Sequence, residues 1–193
     1  HPLLKTPNLD KLRSQSLSFD TFHASPTCAP TRSAIMSGRD PFYVGVTHTI
    51  FERERMALKV PTLAEMLKEN GYNTGMFGKW HLGDQDAYRP DKRGFDEVFM
   101  HGAGGIGQSF RGSSGDAPGN KYFDPAILHN NKFVKTKGFC TDVFFEQATT
   151  WMKTMKDQKQ PFFTYLSTNA PHGPFISPEK YTVSFKKAGY TKS

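Results

Sequence analysis

The stretch from residue 61 to residue 77, Pro-Thr-Leu-Ala-Glu-Met-Leu-Lys-Glu-Asn-Gly-Tyr-Asn-Thr-Gly-Met-Phe, predicts a helix followed directly by a strand. A proline opens the helix pattern, and Gly71 closes it. Val60, Leu63 and Leu67 fall on one face of this helix, as expected for a helix packed on a core. The apolar run that ends at Phe77 is typical of a buried strand.

A second helix-to-strand unit lies further along the chain. Its helix pattern begins at Asp142 and carries Met and aromatic residues at helical spacing up to Met155, which we interpret as core packing rather than a cofactor site. The apolar run of residues 161–166 follows as a strand. Helices that alternate with short buried strands favour a mostly parallel sheet covered on both faces. The predicted fold is therefore α/β, a three-layer sandwich.

Composition and charge limit the partners of this chain. A length of 193 residues suits one domain, and 36% hydrophobic residues are typical of a globular protein. The net charge of +7 favours anionic partners. The basic residues are scattered, without a basic helix or zinc-finger spacing, so a small or polymeric anionic substrate is favoured over nucleic acid. No apolar run is long enough to span a membrane, no signal peptide is visible, and Cys28 and Cys140 form no disulfide framework.

Cys28 lies at a predicted strand-to-helix turn. Residues 17–22 form a short apolar strand pattern, and residues 33–38 continue a helix that ends on glycine. The free N–H groups and the positive dipole end of such a helix favour anions. Arg32 adds a charge that can bind an oxyanion at two points. The pattern predicts a chemically active cysteine, with a buried and inert cysteine as the alternative.

Two further strand ends carry candidate groups. Gly78-Lys79-Trp80-His81-Leu82-Gly83 follows the first strand, and in an extended backbone Lys79 and His81 would point to the same side. His172 follows the second strand between two prolines that favour an extended backbone. Catalytic groups of parallel α/β folds gather at the carboxyl ends of the strands. We therefore predict one site made of Cys28, Arg32, Lys79, His81 and His172.

Other polar stretches are interpreted as structural. Residues 101–120 are rich in Gly and Ser and predict a long mobile loop; its G-x-G-x-x-G pattern lacks a following helix and does not indicate a dinucleotide site. The charged residues 51–55 predict a solvated face. Asp84 and Asp86 are candidates for a metal site, with solvated carboxylates as the favoured interpretation, and no spacing suits zinc. The remaining histidines are assigned structural or surface positions, with His101 as a candidate cleft residue: His23, His48, His101 and His129.

Several short motifs occur in a characteristic order: Thr6–Leu12, Cys28–Arg32, Ser37–Arg39, Pro61–Glu65, Gly78–Gly83, Arg93–Asp96 and Ala170–Pro174. In this order and spacing the chain resembles the type I sulfatases, the formylglycine-dependent branch of the alkaline phosphatase-like superfamily. The resemblance covers nearly the whole chain. The pairing of Cys-x-Pro-x-Arg with Gly-Lys-Trp-His-Leu-Gly makes it highly specific.

The resemblance implies a chemistry for each predicted site residue. Cys28 would be oxidised by a formylglycine-generating enzyme to formylglycine, whose hydrated aldehyde is the nucleophile. Arg32 would hold the formylglycine hydroxyl, and Lys79 and His172 would bind sulfate oxygens. His81 would assist proton movement at formylglycine. Such an enzyme hydrolyses sulfate esters of aryl or carbohydrate alcohols, including sulfated polysaccharides.

The resemblance also implies parts that cannot be placed in this chain. Calcium, or alternatively magnesium, would be bound by residue 28 as formylglycine together with acidic and Asp-Asn pairs that we do not find. We therefore expect residues 1–193 to be a partial catalytic domain with both ends missing, poorly active alone, from a secreted or periplasmic enzyme. Two alternatives stay open: a formylglycine-dependent phosphonate monoester hydrolase or phosphodiesterase, and a non-catalytic polyanion-binding module.

Overall fold

Five strands form one sheet in the computed structural model, which describes residues 3–108 and 114–190. They are β1 Asn73–Lys79, β2 Glu97–His101, β3 Ala126–His129, β4 Lys132–Lys135 and β5 Phe162–Ser167. The order across the sheet is β4-β3-β2-β1-β5. The central strand β1 pairs in parallel with β2 and β5, while β3 and β4 add an antiparallel edge next to β2. The predicted α/β fold is confirmed.

The helices are α1 Pro7–Ser14, α2 Cys28–Ser37, α3 Leu63–Glu69, α4 Cys140–Asp157 and α5 Glu179–Lys187, with short 3₁₀ turns at Phe51–Glu54, Asp86–Tyr88 and Pro90–Lys92. A capping box starts α3, because Thr62 Oγ1 accepts the Glu65 N–H at 3.1 Å and Glu65 Oε2 accepts the Thr62 N–H at 2.6 Å. Gly38 ends α2 in the left-handed conformation, as predicted. Within the described residues, no helix has the length and apolarity needed to cross a bilayer.

The chain divides into two compact units. One spans Ser25–Ile176 and contains the whole sheet with α2, α3 and α4. The other consists of the segments that precede Ser25 and follow Ile176, with α1 and α5. All of the predicted site residues belong to the unit that contains the sheet.

Each face of the sheet carries its own apolar core. Met76 and Val98 pack with residues of α2 and α3 on one face. Phe77 and Phe99 pack with Phe144 of α4 on the other. Since successive strand residues point to opposite faces, this alternation produces three layers, helix on sheet on helix. The predicted apolar stripe of α4 is core packing.

The predicted strand over residues 17–22 is wrong. These residues have no regular secondary structure, and Leu17 and Phe19 are 90% and 81% exposed. A strand needs a neighbour to pair its main-chain groups. Among the described residues, the strand pairings lie within β1 to β5 and one isolated bridge joins Phe123 to Phe139, so residues 17–22 are not paired in a sheet.

The glycine-rich segment after β2 is packed rather than loose over the part that the structure describes; residues 109–113 lie outside the described residues. Gly102 to Ile106 are buried, and a Cβ on Gly102 would clash with the Asp84 side chain. Asp116 accepts the Gly107 N–H at 2.6 Å. Small residues therefore allow this segment to lie directly on the chain that follows β1, which the expectation of a mobile loop did not foresee.

Gly78→Ala is expected to lower the free energy of unfolding by about 3 kcal/mol or more. Gly78 has φ of +107°, and a Cβ there would clash with the Ser167 carbonyl of the neighbouring strand β5. Gly38→Ala is the matched control, because Gly38 also has positive φ, +65°, but nothing lies within 4 Å of its added Cβ. The Gly38→Ala control should lower the free energy of unfolding by about 1 kcal/mol. Thermal unfolding of the full-length protein tests this, and equal shifts for both variants would contradict it.

Candidate functional site

Cys28 is the first residue of α2. Its side chain contacts Lys79, the last residue of β1, and His81, which lies two positions further along the chain. The Cys28 Sγ lies 3.2 Å from His81 Nδ1 and 3.3 Å from Lys79 Nζ. Lys79 and His81 are both almost fully buried, at 2% and 1% exposure. The positive end of the α2 dipole and these two side chains thus surround one sulfur atom.

The chain turns at His81 and does not continue as a strand. β1 ends at Lys79, and His81 has φ of +59°, so the conditional prediction of an extended backbone is wrong. Two main-chain hydrogen bonds hold this turn against the end of β2, from Trp80 N–H to the His101 carbonyl at 3.1 Å and from His81 N–H to the Gly102 carbonyl at 2.9 Å. Lys79 and His81 both reach Cys28, but through a turn rather than through strand alternation.

Glu54 is a site residue that sequence analysis missed. The 3₁₀ turn at Phe51–Glu54 exposes Glu52 and Arg53 but directs Glu54 inward, where it is 2% exposed. The Glu54 Oε2 lies 3.1 Å from His81 Nε2, which also contacts the Thr49 carbonyl at 2.7 Å. The expectation of a solvated face over residues 51–55 is therefore wrong for Glu54, because a tertiary contact with His81 outweighs the polar composition of the segment.

The charges around Cys28 shift the pKa of each group. Burial alone would raise the pKa of Cys28, but its interactions with His81 and then Lys79 outweigh burial and lower the pKa to about 6. Burial lowers the pKa of Lys79, and the Arg32 guanidinium lowers it further. For His81, burial acts to lower the pKa, but its interactions with Cys28 and Glu54 raise the pKa overall. By contrast, burial raises the pKa of Cys140 to about 11. Cys28 is thus the cysteine in an anion-stabilising environment.

Arg32 lies one helical turn after Cys28 and contacts the carboxyl ends of β1 and β5. Its Nη1 donates to the Lys79 carbonyl at 2.7 Å and to the hydroxyl of Ser167. The Ser167 hydroxyl in turn donates to the same carbonyl at 2.9 Å. The Arg32 Nε is buried without a hydrogen-bond partner among the described residues.

His172 lies in the loop after β5 and makes local contacts. Its main-chain N–H donates to the Asn169 carbonyl at 2.8 Å, and its Nδ1 donates to the Gly173 carbonyl at 2.6 Å. Across the described part of the chain, no hydrogen bond joins its imidazole to Cys28, Lys79 or His81. The structure therefore brings Cys28, Arg32, Lys79 and His81 together, whereas the role of His172 stays a prediction.

The described residues do not form a metal centre. They contain no group of three or more His, Cys, Asp or Glu side chains that could hold an ion. Asp86 is exposed and pairs with Arg89 at 3.5 Å, as expected of a solvated carboxylate. Asp84 does not fit this expectation, since it is 2% exposed and lies under the glycine-rich segment. The surroundings of Cys28 are cationic apart from Glu54. These side chains alone do not fit calcium or magnesium, which need several oxygen ligands.

Comparisons with known proteins agree with one another. A model of the sulfatase family matches residues 1–193. An uncharacterized sulfatase of Schizosaccharomyces pombe is 32% identical over 95% of this chain and 36% of its own length. Arylsulfatase J of Mus musculus is 32% identical over 95% of this chain and 31% of its own. The chain thus spans about a third of the length of these relatives.

Solved structures show the same fold. Ps i-CgsB in complex with k-i-k-neocarrahexaose matches with a TM-score of 0.69 and 27% identity, over 84% of this chain and 38% of that one. A protein solved with its substrate D-glucosamine-2-N,6-O-disulfate matches with a TM-score of 0.76 and 23% identity, over 99% of this chain and 34% of that one.

Proposed function

Because the chain belongs to the sulfatase family, we propose that the full-length protein hydrolyses sulfate esters of aryl or carbohydrate alcohols, with residue 28 as the nucleophile after conversion to formylglycine. The observation that supports this most directly is the position of the Cys28 Sγ, 3.2 Å from His81 Nδ1 and 3.3 Å from Lys79 Nζ at the start of a helix. An inert core cysteine needs none of these partners.

The residues around position 28 fit a formylglycine side chain. When formed, formylglycine supplies a hydrated aldehyde, with hydroxyl groups on the carbon that now carries sulfur. His81 Nδ1 lies within hydrogen-bond reach of that position and can accept or return a proton there. Contacts of His81 Nε2 with Glu54 and the Thr49 carbonyl fix the orientation of the ring. Glu54 thus acts on the reaction through His81.

Charge stabilisation is the task of Lys79 and Arg32. A sulfate ester is an anion, and negative charge grows on the oxygen of the departing alcohol as the sulfur–oxygen bond breaks. Lys79 is buried beside residue 28, where low polarity strengthens its attraction for sulfate oxygens. Arg32 Nε, which has no hydrogen-bond partner among the described residues, would provide a further donor. We assign sulfate contact to His172 as well, from the loop after β5.

Other features of the full-length protein are part of the same proposal. We expect residues 1–193 to be part of a larger catalytic domain, exported to the periplasm or secreted, and matured by a formylglycine-generating enzyme. Calcium or magnesium stays a prediction, since the described residues contain no group of three or more His, Cys, Asp or Glu side chains that could hold it. Sulfated polysaccharides are the polymeric substrates that the net charge of +7 favours.

The proposal is tested on full-length protein co-expressed with a formylglycine-generating enzyme. Peptide mass analysis is expected to find formylglycine at position 28. We expect kcat/KM for 4-nitrophenyl sulfate to exceed that for bis(4-nitrophenyl) phosphate and for a phenylphosphonate monoester by at least about tenfold. Preference for the phosphorus substrates would instead support the phosphodiesterase alternative. A retained thiol, with binding of sulfated polysaccharide but no hydrolysis, would support the polyanion-binding module.

A further inference from the structure

His101 contacts both of the segments that carry the predicted sulfate-binding residues. It is the last residue of β2 and pairs with Lys79 at the end of β1. Its carbonyl accepts the Trp80 N–H at 3.1 Å, and the next carbonyl, of Gly102, accepts the His81 N–H at 2.9 Å. The end of β2 therefore holds the turn that places Lys79 and His81 at Cys28.

The side chain of His101 points to the other segment. His101 Nε2 lies 2.9 Å from Asn169 Oδ1, and both residues are buried, at 0% and 3% exposure. Asn169 follows β5, and its carbonyl accepts the His172 N–H at 2.8 Å. Tyr122 holds the far side of this loop by donating to the Gly173 carbonyl at 3.1 Å. One hydrogen bond thus connects β2 to the loop that carries His172.

The hydrogen bond defines the protonation of His101. Asn169 Oδ1 can only accept, so His101 Nε2 carries the proton and donates. Burial, followed by the nearby Lys79 charge, lowers the pKa of His101 to about 3, which keeps the ring neutral. The Nδ1 atom is buried without a partner among the described residues. A neutral ring whose single proton is used for structure cannot serve as a general acid.

Apolar packing alone does not explain a histidine at position 101. The ring stacks on Phe144 with centroids 6.1 Å apart, so an apolar ring would pack there without leaving a buried nitrogen unpaired. Residues that break a local packing rule are found preferentially at functional sites. The hydrogen bond to Asn169 is the feature of His101 that a phenylalanine could not provide.

We propose that His101 is a positioning residue, which through Asn169 fixes the His172 loop at a set distance from Lys79 and His81. The inference rests on the proposed function, since it assumes that groups from both segments bind one sulfate. Displacement of a binding group by about 1 Å can cost about 100-fold in rate. A rigid connection between two strand ends is therefore sufficient to affect turnover without contact with the substrate.

The test uses full-length, formylglycine-containing protein with 4-nitrophenyl sulfate as substrate. His101→Phe keeps the ring and its stacking but removes the donor, and we expect kcat/KM to fall about 10- to 100-fold. His101→Gln places an amide N–H near the original Nε2 position and should recover activity to within about fivefold of wild type. His129→Phe is the matched control, because His129 is also hydrogen-bonded, to Glu97 at 2.7 Å, but lies on β3. It should change kcat/KM less than about twofold.

A double-mutant cycle separates positioning from general destabilisation. When His172 is already replaced by alanine, adding His101→Phe should lower kcat/KM by less than about a further twofold, because the effect of His101 passes through His172. Asn169→Leu removes the acceptor of the same hydrogen bond. It should lower kcat/KM as much as His101→Phe does, and its effect should also disappear in the His172→Ala variant. Asn169→Leu tests the inference if His101→Phe fails to fold. The inference would be overturned if the reductions in kcat/KM multiply when His101→Phe and His172→Ala are combined. Wild-type kcat/KM in His101→Phe or Asn169→Leu would overturn it as well. A wild-type protein that hydrolyses no sulfate ester would instead refute the proposed function.

Discussion

Cys28→Ser is expected to lower kcat/KM of the full-length protein for 4-nitrophenyl sulfate by at least about 10⁴-fold, the scale seen when an enzyme loses its nucleophile. Serine carries one hydroxyl, where a hydrated aldehyde carries two, and a formylglycine-generating enzyme that recognises cysteine does not convert it. The fold should not change, since Cys28 is partly exposed at the first position of α2 and serine is well tolerated at helix starts.

Cys140→Ala is the matched control for this prediction. Cys140 is also the first residue of a helix, α4, but it is fully buried in the core that packs on Phe77 and Phe144. Its loss should lower stability by about 1 kcal/mol and leave kcat/KM within about threefold. Full activity in Cys28→Ser, or equal losses in the two variants, would show that residue 28 is not the nucleophile. Circular dichroism of each variant confirms that activity is compared between folded proteins.

Local signals explain why the helix-to-strand units could be predicted from sequence. The Thr62–Glu65 capping box and Gly71 limit α3 within a few residues, and these signals act over a single turn. The apolar period of α4 is equally local. Once β1 and β5 were placed in parallel, the general rule for strand ends located Lys79 and His81 at one edge of the sheet. Cys28 and Arg32 meet them from the start of α2, although the strand predicted before Cys28 is absent.

Long-range contacts explain three features that sequence analysis missed: the burial of Glu54, the hydrogen bond between His101 and Asn169, and the backbone turn at His81. Glu54 lies in a charged run whose composition is that of a solvated face, and only its ion pair with His81, 27 positions away, accounts for its burial. His101 depends on β2, which lacks a flanking helix pattern, and on Asn169, 68 positions away. The backbone turn at His81 is held by carbonyls of β2 as well. No window of sequence around any of these residues contains its partner.

Activity and stability are expected to conflict at Lys79. Lys79 is 2% exposed and its charge interacts with that of the Arg32 guanidinium, and both burial and this like charge lower the pKa of Lys79. The folded protein therefore holds a cation at an energetic cost, which its interaction with Cys28 offsets only in part. Such a residue is retained for what it binds rather than for what it packs against.

Lys79→Met is therefore expected to reduce kcat/KM for 4-nitrophenyl sulfate by about 10²- to 10³-fold, the usual scale for loss of one charge-stabilising donor. Methionine has a similar length but no charge, so thermal stability should stay the same or rise by about 1 kcal/mol. Lys92→Met is the matched control, because Lys92 is largely exposed and pairs with Asp91, its neighbour in sequence. It should change both quantities little. A large fall in the unfolding temperature of Lys79→Met would instead assign Lys79 a structural role, since a cation that binds substrate is not needed to hold the empty site together.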